Sequence, residues 1–212
     1  MSTVVVTGGA GYIGSHAVKA LRAHGADVVV YDNLSAGHRQ AAVAAGALLE
    51  VGDIHDTGRL AAVIRKFGAD AVMHFAAWLS VGDSVRDPIG YYHHNVNGAL
   101  AVLAAMTKAG AKHFIFSSTA ATFGNPVETP ITETHPQHPI NAYGETKLAI
   151  ERALPHFERA YGVRSIALRY FNAAGADPDG ALGEAECRAL KVLADARMIP
   201  PLRLRVALPK AS

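Results

Sequence analysis

Short apolar runs alternate along this chain with longer stretches in which apolar residues recur at helical spacing. Thr3–Thr7 reads as a strand, followed by glycines and a helix over residues 12–24. Residues 27–31 and Leu48–Val51 read as two further strands, and residues 57–67 as a helix leading into a fourth strand at 71–75. The alanine- and leucine-rich stretch 90–109 predicts one unbroken helix. Residues 112–117, apolar at their centre, predict a strand covered on both faces. A helix over 141–161 and a sixth strand at 164–170 complete the series. This alternation predicts an α/β fold, a Rossmann-type doubly wound parallel sheet. Right-handed crossovers then bring every strand's carboxyl end to one edge, where ligands bind. The loop 125–139, with Pro126, Pro130, Pro136 and Pro139, is expected on that edge.

Composition narrows the partners more than the fold. With 212 residues, half of them hydrophobic, the chain can bury one substantial core and is short for two full domains. A net charge of +2 provides no field for nucleic acid or a membrane surface. No apolar run approaches the roughly 18 residues of a membrane span, and the first residues lack a basic leader. A single cysteine, Cys187, fits a reducing cytoplasm, so a cytoplasmic protein is expected.

Four constellations carry chemistry. In the first, TGGAGYIGS (residues 7–15), Gly9, Gly11 and Gly14 satisfy G-x-G-x-x-G, while Gly8, Gly11 and Gly14 satisfy a related G-x-x-G-x-x-G form. Such glycines allow a tight turn and let a pyrophosphate approach the backbone at a helix N-terminus. The second is Asp32, about 20 residues on, placed to bond the adenosine ribose of NAD and to repel the 2′-phosphate of NADP. A turn aspartate before Asn33 would also suit that position. Asp53 is a similar acid after strand three, and its neighbour Asp56 suits a helix cap equally well.

The third constellation is Tyr143-x-x-x-Lys147, which places both side chains on one helix face. Chance pairing of seven tyrosines and seven lysines would give about 0.2 such motifs. For tyrosine to act as a base near neutrality, its phenol needs roughly 4 kcal/mol of differential stabilisation, for which a lysine ammonium and the positive nicotinamide ring of NAD are the sources. The fourth, FIFSSTAATFG, puts Ser117, Ser118 and Thr119 at a strand end. Hydroxyl clusters there are frequently turn formers, and Thr119 gains weight from the tyrosine and lysine downstream. The eleven histidines show no metal spacing. His93 and His94 point about 100° apart on a helix. His135 and His138 read as surface residues of the proline-rich loop, and Trp78 as packing. No metal site is expected.

TGGAGYIGS, YDNLSAGHR, GDI, HFAAWLSVGDSV, YYHHNVNG, FIFSSTAATFG, AYGETK and LRYFNAAGA follow one another in the order and spacing of a known family. In these motifs the chain resembles the NAD-dependent sugar-nucleotide epimerases of the extended short-chain dehydrogenase/reductase family, from about residue 3 to 184. The resemblance implies NAD as cofactor, with Gly8, Gly11, Tyr12, Ile13 and Gly14 at its phosphates. It places Asp32, Asn33, Leu34, Ser35, Ala36 and Gly37 at the adenosine ribose, and Asp53 and Ile54 beside adenine. Phe75, Ala76, Ala77 and Leu79 lie along the cofactor, with His94 and Phe171 further contacts. Thr119, Tyr143 and Lys147 form the catalytic group and also contact the cofactor, Lys147 at the nicotinamide ribose, and Asn172 joins Thr119 and Tyr143 at the substrate. The implied reaction interconverts UDP-glucose and UDP-galactose through a 4-keto sugar. The implied assembly is a homodimer formed through stretches 90–109 and 141–161.

Three positions depart from the family pattern: Leu79 stands where some relatives have lysine, His94 replaces an asparagine, and Thr119 replaces a serine. A 4,6-dehydratase or decarboxylase is the alternative enzyme reading, but Ala120 and Ala121 stand where elimination would need an acid. An inactive NAD-binding fragment is the alternative of another class. Residues 1–184 are expected to be the NAD-binding domain. The arginine, alanine, leucine and proline mixture of 185–212 reads as an unrelated or out-of-frame tail, with the substrate part of the family fold largely missing.

Overall fold

The computed structural model describes residues 3–178 and 180–183; the tail 185–212 lies outside the described residues. Valine-rich segments that cannot face water form the centre of a six-stranded, wholly parallel sheet. Its strands are β1 (Thr3–Thr7), β2 (Asp27–Asp32), β3 (Leu48–Val51), β4 (Ala71–His74), β5 (His113–Ser117) and β6 (Arg164–Leu168). They lie in the order β3-β2-β1-β4-β5-β6, the doubly wound arrangement expected from the alternation. In register, Thr7 lies opposite both Tyr31 and His74, so the ends of the three inner strands share one edge.

Side chains along β1 alternate between two cores. Val5 joins Leu60, Leu103, Met106 and Ile150 on one face, whereas Val4 and Val6 join Val18, Ala42 and Leu182 on the other. The first face is covered by helices α3 (Thr57–Lys66), α6 (Gly98–Ala109) and α7 (Ala142–Tyr161), the second by α1 (Tyr12–Ala23) and α2 (Arg39–Ala44). Local chemistry sets the helix starts. Asp56 accepts the Arg59 amide at 2.9 Å and Asn141 accepts the Gly144 amide at 2.8 Å. Asp56 is therefore the cap its position suggested. No described helix is long and apolar enough to cross a membrane.

The expected single helix over 90–109 is broken. A short α5 (Pro88–Tyr91) opens into a wide π-type turn, Tyr92–Asn97, before α6. Asn95 accounts for the widening. Its side chain turns inward, accepting the Trp78 amide at 2.8 Å and donating to the Trp78 carbonyl at 3.0 Å and the Thr146 hydroxyl at 3.2 Å. Two short helices, α2 and α4 (Val81–Arg86), escaped the periodicity because six residues are too few to establish it.

Candidate functional site

The edge at the ends of β1, β2 and β4 is a backbone structure. Gly8 has φ of +74°, and a Cβ there would meet the Phe75 carbonyl carbon at 2.7 Å and the Ala76 nitrogen more closely still. A Cβ on Gly14 would lie 2.8 Å from Gly9 Cα and run into the Gly8 oxygen. Only glycine permits this close crossing of turn, helix and strand. Gly11 begins α1 with no side-chain cap, and no acidic residue occupies the first turn. The first amides of α1 and the positive end of its dipole are thus left for an anion.

Asp32 closes this turn from β2. It is 8% exposed, and its two carboxylate oxygens accept the Ala10 amide at 3.0 Å and the Leu34 amide at 2.8 Å. Each oxygen keeps a further lone pair for a ribose hydroxyl. The Leu34 contact holds that residue at φ of +60°, a conformation costing a non-glycine residue roughly 1–2 kcal/mol. Gly37 packs on Ala10, and the His38 amide bonds the Ala10 carbonyl at 2.9 Å, so the loop through Asn33, Ser35 and Ala36 is drawn against the glycine turn. Asn33 donates to Asp53 at 2.9 Å, tying the second acid to the first. The His55 amide, then Asn33 and the His55 ring, hold the Asp53 carboxyl down to about 2. Ile54 packs its side chain into the core against Gly98.

Phe75, Ala76 and Ala77 continue from β4 beside Gly8, the Phe75 amide bonding the Thr7 carbonyl at 2.8 Å. Leu79 is 75% exposed. His94 stacks on Trp78 with centroids 5.0 Å apart, and His55 stacks on His93 at 4.9 Å and lies 5.5 Å from His94. The two histidines thus both touch His55, and Trp78, half-exposed, is part of the edge as well as packing. Among the described residues no group of histidine, cysteine or acid is placed to hold a metal.

The other half of the edge is built from side chains. Thr119 follows β5, and α7 carries Tyr143 and Lys147 across from it. Lys147 is 3% exposed; its Nζ donates to the Ser117 carbonyl at 2.7 Å and lies 5.0 Å from the Phe116 ring centre and 5.9 Å from that of Tyr143. Burial alone pushes its ammonium down to about 7. Burial also raises the Tyr143 phenol, and the Thr119 side chain, hydrogen-bonding to it, pulls it back. The lowered phenol that a base requires is therefore not supplied by the protein alone. Beneath them His74, wholly buried, shares a 2.7 Å hydrogen bond with the Thr7 hydroxyl, and burial, then Lys147 and His94, hold it down to about 3.

Phe171 is 73% exposed and Asn172 also lies open, both beyond β6 on the same edge. The Tyr12 hydroxyl donates to the Gly175 carbonyl at 2.6 Å, while Ile13 is half-buried in the first turn of α1. His138 is exposed as expected. His135 is not: it is 4% exposed, its Nε2 accepts the Val127 amide at 3.0 Å, and it folds the proline-rich loop around itself.

Two groups escaped sequence reasoning. Asn95 bonds the Trp78 backbone beyond β4 and Thr146 of α7, and nothing local in YYHHN marks it for that role. The other is a carboxylate, Glu151, one turn beyond Lys147. It accepts Arg169 Nε at 3.0 Å and Nη2 at 2.6 Å, Gln137 at 3.0 Å, and the Ser118 hydroxyl. Its four-residue spacing from Lys147 was the available signal.

A fold of this topology, with a glycine cradle at its switch point, is a Rossmann-type fold suited to a dinucleotide. The chain belongs to the NAD dependent epimerase/dehydratase family, which it matches over residues 4–197. It is 51% identical over 182 residues to UDP-glucose 4-epimerase of Lacticaseibacillus casei, covering 86% of this chain and 55% of that protein. The same enzyme from Rhizobium leguminosarum bv. trifolii is 50% identical, with the same shares covered. Among solved structures, UDP-glucose 4-epimerase from Brucella ovis in complex with NAD superposes with a TM-score of 0.84 at 49% identity, over 87% of this chain and 56% of that one. The enzyme from Stenotrophomonas maltophila with bound NAD and formylated UDP-arabinopyranose gives 0.86 at 35% identity, over 94% and 63%. The chain spans about half the length of the curated relatives it matches.

Proposed function

We propose that this chain binds NAD along the glycine edge and carries the proton-handling group of a UDP-glucose 4-epimerase, interconverting UDP-glucose and UDP-galactose through a 4-keto sugar. The observation that carries the reading is the meeting of Thr119, Tyr143 and Lys147 at the end of β5, on the same edge as a turn where any Cβ at Gly8 or Gly14 would collide with backbone. That cradle and the uncapped α1 suit a pyrophosphate, and Asp32 suits the 2′-hydroxyl of adenosine ribose. Bound there, NAD would supply a reversible hydride acceptor for carbon 4 and a positive charge beside the phenol.

The chain's own residues handle the proton. Tyr143, as phenolate, takes it from the 4-hydroxyl and returns it, while Thr119 orients that hydroxyl. Lys147 supplies positive charge close to the Tyr143 ring. Phe171 and Asn172, open on the edge, are the proposed contacts to nicotinamide and sugar. Ala120 and Ala121 beside Thr119 leave no acid for elimination, which favours epimerisation over dehydration.

Residues 1–184 form the proposed NAD-binding domain and 185–212 a separate tail. The proposed assembly is a homodimer through α5, α6 and α7, in keeping with the exposed Ile89 and Tyr92. The proposed setting is the cytoplasm, on the single Cys187. Calorimetry with NAD, together with an assay converting UDP-galactose to UDP-glucose, tests the reading. Binding with turnover supports it, and no NAD binding removes it.

A further inference from the structure

We infer that Glu151, through Ser118 and Arg169, is the positioning residue that holds the strand end bearing Ser117 and Thr119 against the helix bearing Tyr143 and Lys147. The inference rests on the reading of those residues as the reacting group, and deepens it.

The geometry is specific to that task. Tyr143, Lys147 and Glu151 occupy successive turns of α7. One carboxylate gathers donors from three separate segments: Ser118 after β5, Gln137 in the proline-rich loop, and Arg169 after β6. Each of the strand-end segments flanks a working atom. Ser118 sits between Ser117, whose carbonyl holds Lys147, and Thr119. Arg169 precedes Tyr170, whose carbonyl accepts the Ala120 amide at 3.0 Å and whose hydroxyl meets the Ser117 hydroxyl. The Arg169 guanidinium also covers the Phe123 ring at 5.3 Å, clamping the turn Ala120–Phe123 that follows Thr119.

A largely buried ion pair is weak evidence for stability, because desolvation offsets most of the attraction, and apolar replacements of similar volume are often neutral or stabilising. What such a pair can impose is geometry. Five hydrogen bonds from Ser118, Gln137 and Arg169 converging on one carboxylate restrict where the strand end can lie relative to α7. If Glu151 were only structural, an apolar pair could replace it without consequence for Lys147.

The test is a carbon-13 lysine titration of the 212-residue chain, which needs neither cofactor nor substrate. Two variants are compared with the parent: Glu151→Met/Arg169→Leu, which removes both charges together, and the mild Ser118→Ala, which removes one donor and keeps the chain folded. The expected result is a Lys147 midpoint about one pH unit higher in the double variant, and higher by a smaller margin in Ser118→Ala, as the loosened strand end lets water reach the ammonium. NAD affinity should change less than about threefold in both. An unmoved Lys147 midpoint in either folded variant, with only the melting temperature altered, overturns the inference. Loss of the NAD-site reading would appear separately, as a parent chain that does not bind NAD while its Lys147 still titrates.

Discussion

At the glycine turn, the proposed cofactor site is built of backbone: amides, a helix dipole, and positions where a side chain cannot fit. Across the edge, at Thr119, Tyr143 and Lys147, the proposed reacting group is built of side chains, two of them with charged forms that burial disfavours. The first region is compatible with stability, since its one buried carboxylate, Asp32, is held by the Ala10 and Leu34 amides. The second opposes it. A lysine pushed down to about 7 is a group that folding has made less basic, and the fold bears that cost to keep a cation beside a phenol.

The widest gap between the two regions should appear in Lys147→Met. Between its folded midpoint near 7 and the ordinary value near 10.5, the unfolded chain holds a proton on Lys147 that the folded chain lacks, so stability rises with pH across that window. Below pH 7 the burial penalty is complete, up to about 5 kcal/mol, of which about 1 is offset by the Ser117 hydrogen bond that methionine would lose. Denaturant unfolding at pH 6 should show Lys147→Met about 3–4 kcal/mol more stable than the parent, with the advantage shrinking towards pH 10. A variant less stable at pH 6 would mean that Lys147 is not strained by burial.

Tyr143→Phe should come next. The ring and its packing remain, so NAD affinity is unchanged, while epimerase turnover falls about 100-fold or more, close to 3 kcal/mol in the transition state. On the backbone side, Gly14→Ala should cost about 1–3 kcal/mol of stability, because its methyl would run into the Gly8 oxygen. NAD titration should show weakened binding there with the Tyr143 midpoint unaltered, which separates the two regions. The smallest effect is cofactor choice: NAD should bind at least about tenfold more tightly than NADP through Asp32, and Asp32→Asn should narrow the ratio. Equal affinities in the parent would leave Asp32 with its structural contacts alone.

Backbone-built features were the more legible. Gly8, Gly11 and Gly14 announce a close crossing by residue type, and valine runs such as VVVT and DVVVY announce buried strands, so a doubly wound parallel sheet followed from the alternation. Features that depend on a side chain reaching across the fold were not legible. Asn95 opens a helix by bonding Trp78 and Thr146, far away in sequence. His135, in a loop of polar and proline residues, is buried because the loop folds around it. Glu151 looked like one more helical glutamate until Ser118, Gln137 and Arg169 converged on it. The electrostatics of Tyr143 were legible only in part: lysine and a bound nicotinamide were the expected sources of a lowered phenol, and in the chain without NAD burial raises the phenol and also draws charge from the lysine.

That last disagreement leads to the most direct measurement. A carbon-13 tyrosine titration of the chain, with and without saturating NAD, reads the Tyr143 phenol while the glycine edge is empty and while it is filled. The account predicts a midpoint above the ordinary tyrosine value without NAD and a lower midpoint when NAD binds, as positive charge reaches the buried phenol. NAD binding that leaves the Tyr143 midpoint where it was would show that the two regions do not form one site.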